Sequence, residues 1–102
     1  MQIKTVTMCA SMRFEKQMQA LAYQLETTQG YTVLQCTYAP EGTQPSAQEL
    51  QCLEKAHYQK IDLSDGIYVV NIDGYIGESV SAEIQYALSH GKEVLYHCEK
   101  TI

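Results

Sequence analysis

The chain has 102 residues, 45% of them hydrophobic and 19% charged, with a formal net charge of -5. That length supports one domain with a single modest core and excludes two. The acidic balance excludes a general binder of nucleic-acid polymers or anionic membranes, because no basic patch is present to displace phosphate counterions; one anionic small ligand held by a single Arg and a few backbone amides remains compatible with it.

No run is long and apolar enough to span a bilayer. The first residues, MQIKTVTMCASMR, lack the charged and apolar regions of a signal peptide. A cytoplasmic protein is expected. Cys9, Cys36, Cys52 and Cys98 are spread singly, with no CxxC and no close Cys/His pair beyond His97-Cys98. This spacing predicts no metal site, and the chemistry considered below needs no cofactor. Each cysteine reads as a small buried hydrophobe in a reducing compartment.

In chain order, Ile3–Cys9 is β-branched and apolar and predicts a first strand. Phe14, Met18, Leu21, Ala22 and Leu25 recur at helical spacing, predicting a helix over 14–28 that stops at Gly30. Tyr31–Tyr38 reads as a second strand. The stretch APEGTQPS is a loop, followed by Ser46 and Glu49 in capping-box spacing. A helix over 47–60 is expected to bury Leu50, Leu53, His57 and Ile61. Gly66–Ile72 is nearly continuous apolar, as in strands buried on both faces. A third helix over 79–90 is expected to bury Val80, Ile84, Ala87 and Leu88 and to close at Gly91. Glu93–Cys98 reads as a last strand. Alternating strands and helices imply parallel pairing through right-handed crossovers. The fold class is α/β: a Rossmann-like or flavodoxin-like three-layer sandwich on a short parallel sheet of four to five strands, forming one domain over 1–102. So small a sheet predicts a homodimer or higher homo-oligomer.

In such sheets ligands bind at the carboxyl ends of the strands, near a switch point. Three segments are candidates. Cys9-Ala10-Ser11-Met12-Arg13 offers a hydroxyl, backbone amides and a guanidinium at a helix start, the groups that hold a phosphate or ribose oxygen. The plainer reading is that Ser11 caps the helix and Arg13 is a solvated charge. Asp62-Leu63-Ser64-Asp65 precedes the third strand, where Asp65 is either functional or a turn former. Asn71 to Glu83 contains Asp73, Gly77, Ser79 and Glu83. Its glycines permit close backbone approach, and the helix dipole favours an ionised Glu83. The plainer reading is a Glu decorating a helix start. His57 is either a proton donor to a leaving group or a core or cap histidine, and His90 and His97 read as structural or exposed.

Taken together, MCASMRF, LSDGIYVVN and GYIGESVSAEIQYALSHGKEVLY resemble the nucleoside 2-deoxyribosyltransferase superfamily, which includes deoxyribonucleoside 5'-monophosphate N-glycosidases. The resemblance runs through most of the chain. It implies a small-molecule nucleoside or nucleotide substrate, with Glu83 as the catalytic carboxylate and Asp65 working beside it. It implies substrate contacts at Ser11, Met12, Arg13, Asp73, Gly77 and Ser79. Glycosidic cleavage passes through an oxocarbenium-like state and needs a carboxylate near the anomeric carbon. The chain departs from the family at Thr7, where a Tyr is frequent. It departs again at Gly77 and Glu78, where transferases carry an Asp that holds the base. The alternative is a non-catalytic nucleotide-binding or sensor domain of the same fold; a structural or partner-binding domain is a third possibility.

Overall fold

The structure is a computed structural model that describes residues 5–98. Four strands and three long helices alternate: β1 (Thr5–Cys9), α1 (Glu15–Thr28), β2 (Thr32–Leu34), α2 (Ala47–Asp62), β3 (Gly66–Val69), α3 (Glu78–Ser89) and β4 (Glu93–Tyr96). Short 3-10 turns at Met12–Phe14 and Ile72–Gly74 follow β1 and β3. The sheet runs β2-β1-β3-β4 and every pairing is parallel. This is the expected α/β sandwich with four strands.

Side chains alternate across a strand, and the two faces of β1 show it. Val6 and Met8 join Phe14, Met18, Ala22 and Leu25 in the layer under α1. Cys9 joins Ile61, Ile67, Val69, Val80, Ile84 and Ala87 in the layer under α2 and α3. Both layers lean on the same two central strands. β3 is fully buried at Gly66, Ile67 and Val69, consistent with its unbroken apolar run. Gly66 has a packing reason. A Cβ there would sit 2.7 Å from the Glu93 carbonyl oxygen, so only glycine lets β3 and β4 close at that rung.

The helices begin and end as the sequence predicts, within two residues. Ser46 Oγ accepts from the Glu49 amide at 3.1 Å, while the Ser46 amide donates to the Glu49 carboxylate at 2.9 Å. Gly91 takes φ 70°, and the Lys92 amide reaches back to the Ala87 carbonyl at 2.9 Å to close α3. Lys92 Nζ then donates to the Asp62 and Ser64 carbonyls, satisfying acceptors at the carboxyl end of α2.

Several expectations need correction. The strands are shorter than read. β2 spans three residues, because it is an edge strand paired only to β1; beyond Leu34 the chain turns away and Gln35 offers its carbonyl to Lys60 Nζ at 2.7 Å. β3 stops at Val69, although Asn71 extends the link toward β4 by exchanging two hydrogen bonds with the Cys98 backbone, at 3.1 and 2.7 Å. Leu50 and Leu88 are exposed, at 54% and 57%. Each sits on its helix beyond the strip that the narrow sheet can cover. Cys52 is likewise exposed rather than buried. Residues 3 and 4 of the first expected strand lie outside the described residues.

Candidate functional site

The crossovers from β1 and from β3 leave toward opposite edges of the sheet, so the switch point lies between these two strands. A cleft of about 400 Å³ opens there. One wall is Ala10, Ser11 and Met12, following β1; the other runs from Tyr75 through Gly77, Glu78 and Ser79 to Val80, leading into α3. Four of the residues expected at a substrate therefore meet: Ser11, Met12, Gly77 and Ser79. The wall also includes Tyr75 and Glu78, which the sequence reading did not assign. Gly77 is the N-cap of α3 and brings no capping side chain. The first-turn amides of that helix are therefore left for other acceptors.

Arg13 stands at the rim. Its guanidinium lies 3.8 Å from the centroid of the Tyr75 ring, a cation–π contact that holds an otherwise exposed charge beside the cleft. Ser11 does serve as a cap: its hydroxyl accepts from the Arg13 amide at 3.3 Å. Asp73 is exposed, in the left-handed region at φ 56°, and is not part of the cleft wall. Asp and Asn tolerate that conformation better than most residues, which accounts for its place in the turn.

Glu83 lies one turn beyond Ser79 on the same side of α3, and it is buried at 8% exposure. It is not part of the cleft wall. His57 Nε2 of α2 approaches Glu83 Oε1 at 3.3 Å, and Cys9 Sγ at the end of β1 lies 3.6 Å from the same nitrogen. Three elements thus deliver a thiol, an imidazole and a carboxylate to one point. Burial, reinforced by the neighbouring Glu83 carboxylate, pushes the Cys9 thiol well above its ordinary range. Glu83 Oε1 and His57 Nδ1 are both buried without a hydrogen-bond partner. The first is within reach of His57 but out of line for a hydrogen bond.

Asp65 is not brought to Glu83. It precedes β3 at the amino end of the sheet, where its carboxylate accepts from the Thr5 amide at 3.0 Å and its own amide donates to the Thr5 carbonyl at 2.9 Å. Glu83 lies at the other end, beside Cys9. The expected carboxylate pair is therefore absent, because parallel strands send every residue before β3 away from the ligand end. Thr7 is fully buried and hydrogen-bonded to Ser64 Oγ at 2.6 Å. Ser64 donates its one hydroxyl proton to the Lys60 carbonyl at 2.8 Å, so Thr7 is the donor of that pair. Thr7 is thereby fixed as a structural hydroxyl inside the α2 layer.

Of the three histidines, His90 stacks on Tyr86 with ring centroids 4.0 Å apart, and His97 Nδ1 pairs with the Tyr68 hydroxyl at 2.9 Å. Both are exposed and structural, as expected. His57 joins the candidate site. Its signal in the sequence is its place four residues before Ile61, on the inward face of α2; its partners lie too far along the chain to be read from spacing. A second hollow of about 410 Å³ lies between α2 and the loop after β2, against Tyr38, Pro40, Pro45 and Cys52.

Comparison with protein families, curated proteins and solved structures gives no match.

Proposed function

We propose that this chain hydrolyses the N-glycosidic bond of a nucleoside or nucleotide, with the Glu83 carboxylate acting at the anomeric carbon. The observation that carries this reading is the burial of a carboxylate at the switch point, one helical turn from the Ser79 of the cleft wall. A carboxylate shielded from water stabilises an adjacent oxocarbenium-like centre far better than a solvated one.

In this reading the sugar enters between Ser11 and Ser79. The C1'–N bond breaks and its electron pair leaves with the base, which takes a proton from water. Glu83, one turn beyond Ser79, bonds to C1' once the sugar passes the cleft wall; a second water then hydrolyses that ester, giving its proton to the hydroxide left by the first, and frees the carboxylate. Arg13, held on the Tyr75 ring, meets a 5'-phosphate alongside the first-turn amides of α3. That phosphate contact favours a nucleotide and hydrolysis over transfer. Asp65 takes no part. A homo-oligomer in the cytoplasm completes the proposal: β4 offers an open edge among the described residues, and four free thiols suit a reducing compartment.

The test is free-base release from ribo- and deoxyribonucleosides and their 5'-monophosphates. Glu83→Gln is expected to lower release by about 10²–10⁴-fold while leaving the circular dichroism spectrum unchanged. Folded wild-type protein that releases no base from any of these substrates would overturn the proposal.

One observation favours a second reading, a nucleotide-binding or sensor domain. Glu83 does not line the cleft, and His57 lies against its carboxylate. Such a domain would bind nucleotide without turnover, and Glu83→Gln would leave its affinity intact.

A further inference from the structure

Cys9, His57 and Glu83 come from β1, α2 and α3, and each offers a donor atom within 4.8 Å of the others. We propose that these three side chains form a binding site for a thiophilic divalent cation of the zinc type. The site does not rest on the glycosidase reading, but it draws on the same Glu83, and a carboxylate bonded to a cation is not free to attack C1'.

Two plainer accounts of the cluster fail on its geometry. The first is a nucleophilic Cys–His–Glu relay. A relay uses both imidazole nitrogens, one facing the thiol and the other facing the acid. Here thiol and carboxylate both converge on Nε2, and Nδ1 faces neither. The second is an ordinary hydrogen-bonded core histidine. Such a histidine hydrogen-bonds its neighbours, whereas here Glu83 Oε1 and His57 Nδ1 are both buried without a hydrogen bond, and Oε1 has the 3.3 Å approach of His57 Nε2 out of line. Leaving buried polar atoms unmade is costly, so each calls for an explanation. A cation bonded to the carboxylate explains the Glu83 oxygen directly; His57 Nδ1, which carries the imidazole proton when Nε2 binds the ion, keeps no hydrogen-bond partner among the described residues.

The distances fit a metal. Tetrahedral ligands at about 2.3 Å for sulfur and about 2.05 Å for nitrogen stand about 3.6 Å apart, and a nitrogen–oxygen pair about 3.4 Å apart. Cys9 Sγ–His57 Nε2 is 3.6 Å and His57 Nε2–Glu83 Oε1 is 3.3 Å. Two of the three ligand–ligand edges are therefore already set before any ion enters, and the third, from Cys9 Sγ to the Glu83 carboxylate, lies within 4.8 Å. The donor set also balances charge. A thiolate and a carboxylate neutralise a dication, and the imidazole binds neutral through Nε2. On binding, the Cys9 thiol gives its proton to solvent and a metal–sulfur bond replaces the S–H bond. The mixture of soft thiolate, imidazole and carboxylate suits zinc over calcium or magnesium, which prefer all-oxygen shells. Cys9 is fully buried, while the side chains of His57 and Glu83 keep 11% exposure each. The three protein donors leave a fourth position for a water.

The test titrates reduced, metal-free protein with Zn²⁺, and separately with Co²⁺ as a spectroscopic stand-in. One ion per chain is expected, and the cobalt form should show a thiolate-to-metal charge-transfer band with the intense visible bands of a tetrahedral site. Cys9→Ser should abolish the charge-transfer band and weaken binding at least tenfold. His57→Gln, at a partly exposed position, should weaken binding similarly without relying on the fully buried thiol being replaceable. Cys52→Ser, at the exposed thiol, should change nothing. Absence of one-to-one binding, or a charge-transfer band that survives Cys9→Ser in folded protein, would overturn the proposal. Base release measured on chelator-treated protein reports on the glycosidase reading alone, so the two can fail separately.

Discussion

Burial treats neighbouring polar groups differently according to what else they can reach. Thr7 and Cys9 point into the same layer, yet Thr7 has a short hydrogen bond to Ser64 while Cys9 meets a carboxylate that disfavours its thiolate. Tyr38 shows the same logic in the other hollow. Its hydroxyl donates to Gln35 Oε1 at 3.0 Å, and burial first, then the neighbouring Cys36, pushes its phenol from 10 up to about 12. The fold therefore favours the neutral phenol. Its contribution to stability is fully present below pH 10 and is lost as the pH rises toward about 12. In a phenolate absorbance titration, the wild-type-minus-Tyr38→Phe difference should rise near pH 12. A difference curve centred at 10 would show that the hydroxyl feels no such environment.

At the scale of elements, the capping box gives a clean measurement. Ser46→Ala removes the side-chain acceptor of the Glu49 amide and should cost about 1 kcal/mol in urea melts. Leu50→Gln, one turn later on an exposed position, should change stability by no more than about 0.5 kcal/mol. Equal losses from both would mean that the start of α2 is held by packing rather than by its cap. The same pair marks how far the sequence reveals this fold. Ser46, Glu49, Gly30 and Gly91 are local signals, and local signals placed all three helices correctly. Helical spacing picked out the inward residues Met18, Ala22, Leu25, Val80, Ile84 and Ala87. It overreached at Leu50 and Leu88, because periodicity does not say how wide a stripe the sheet will cover. β2 was overread for a related reason: Val, Thr and Tyr favour strand, but strand length is set by pairing, and β2 meets β1 over Thr32–Leu34 before Gln35 turns to Lys60.

The candidate site follows the same division. Ser11, Met12, Gly77 and Ser79 meet at the cleft, and the rule that ligands sit at strand carboxyl ends was enough to find them. Asp65 was expected beside Glu83 from the resemblance; its place just before β3 puts it at the opposite end of the sheet, bonded to the Thr5 amide. The meeting of Cys9, His57 and Glu83 was not legible. Cys9 and His57 are 48 residues apart in the chain, and only the placing of α2 and α3 on one face of the sheet brings them together.

The molecule as a whole is two apolar layers sharing one sheet. Met18 anchors the layer under α1, and Ile61 the layer under α2 and α3. Separate clusters could melt separately, but β1 and β3 contribute side chains to both, so neither layer keeps its floor once the other is lost. Ile61→Ala and Met18→Ala should each cost about 2–5 kcal/mol, a large part of the roughly 5–15 kcal/mol typical of a whole domain. Each should lower the urea midpoint of far-ultraviolet dichroism, which follows helix content, and of the near-ultraviolet tyrosine signal by the same amount. The chain has eight tyrosines and no tryptophan, so the tyrosine signal samples both layers. Coincident curves in both variants are the signature of one cooperative unit. If Met18→Ala shifted one probe and not the other, the α1 layer would be unfolding by itself, and the shared sheet would not be what makes this chain a single domain.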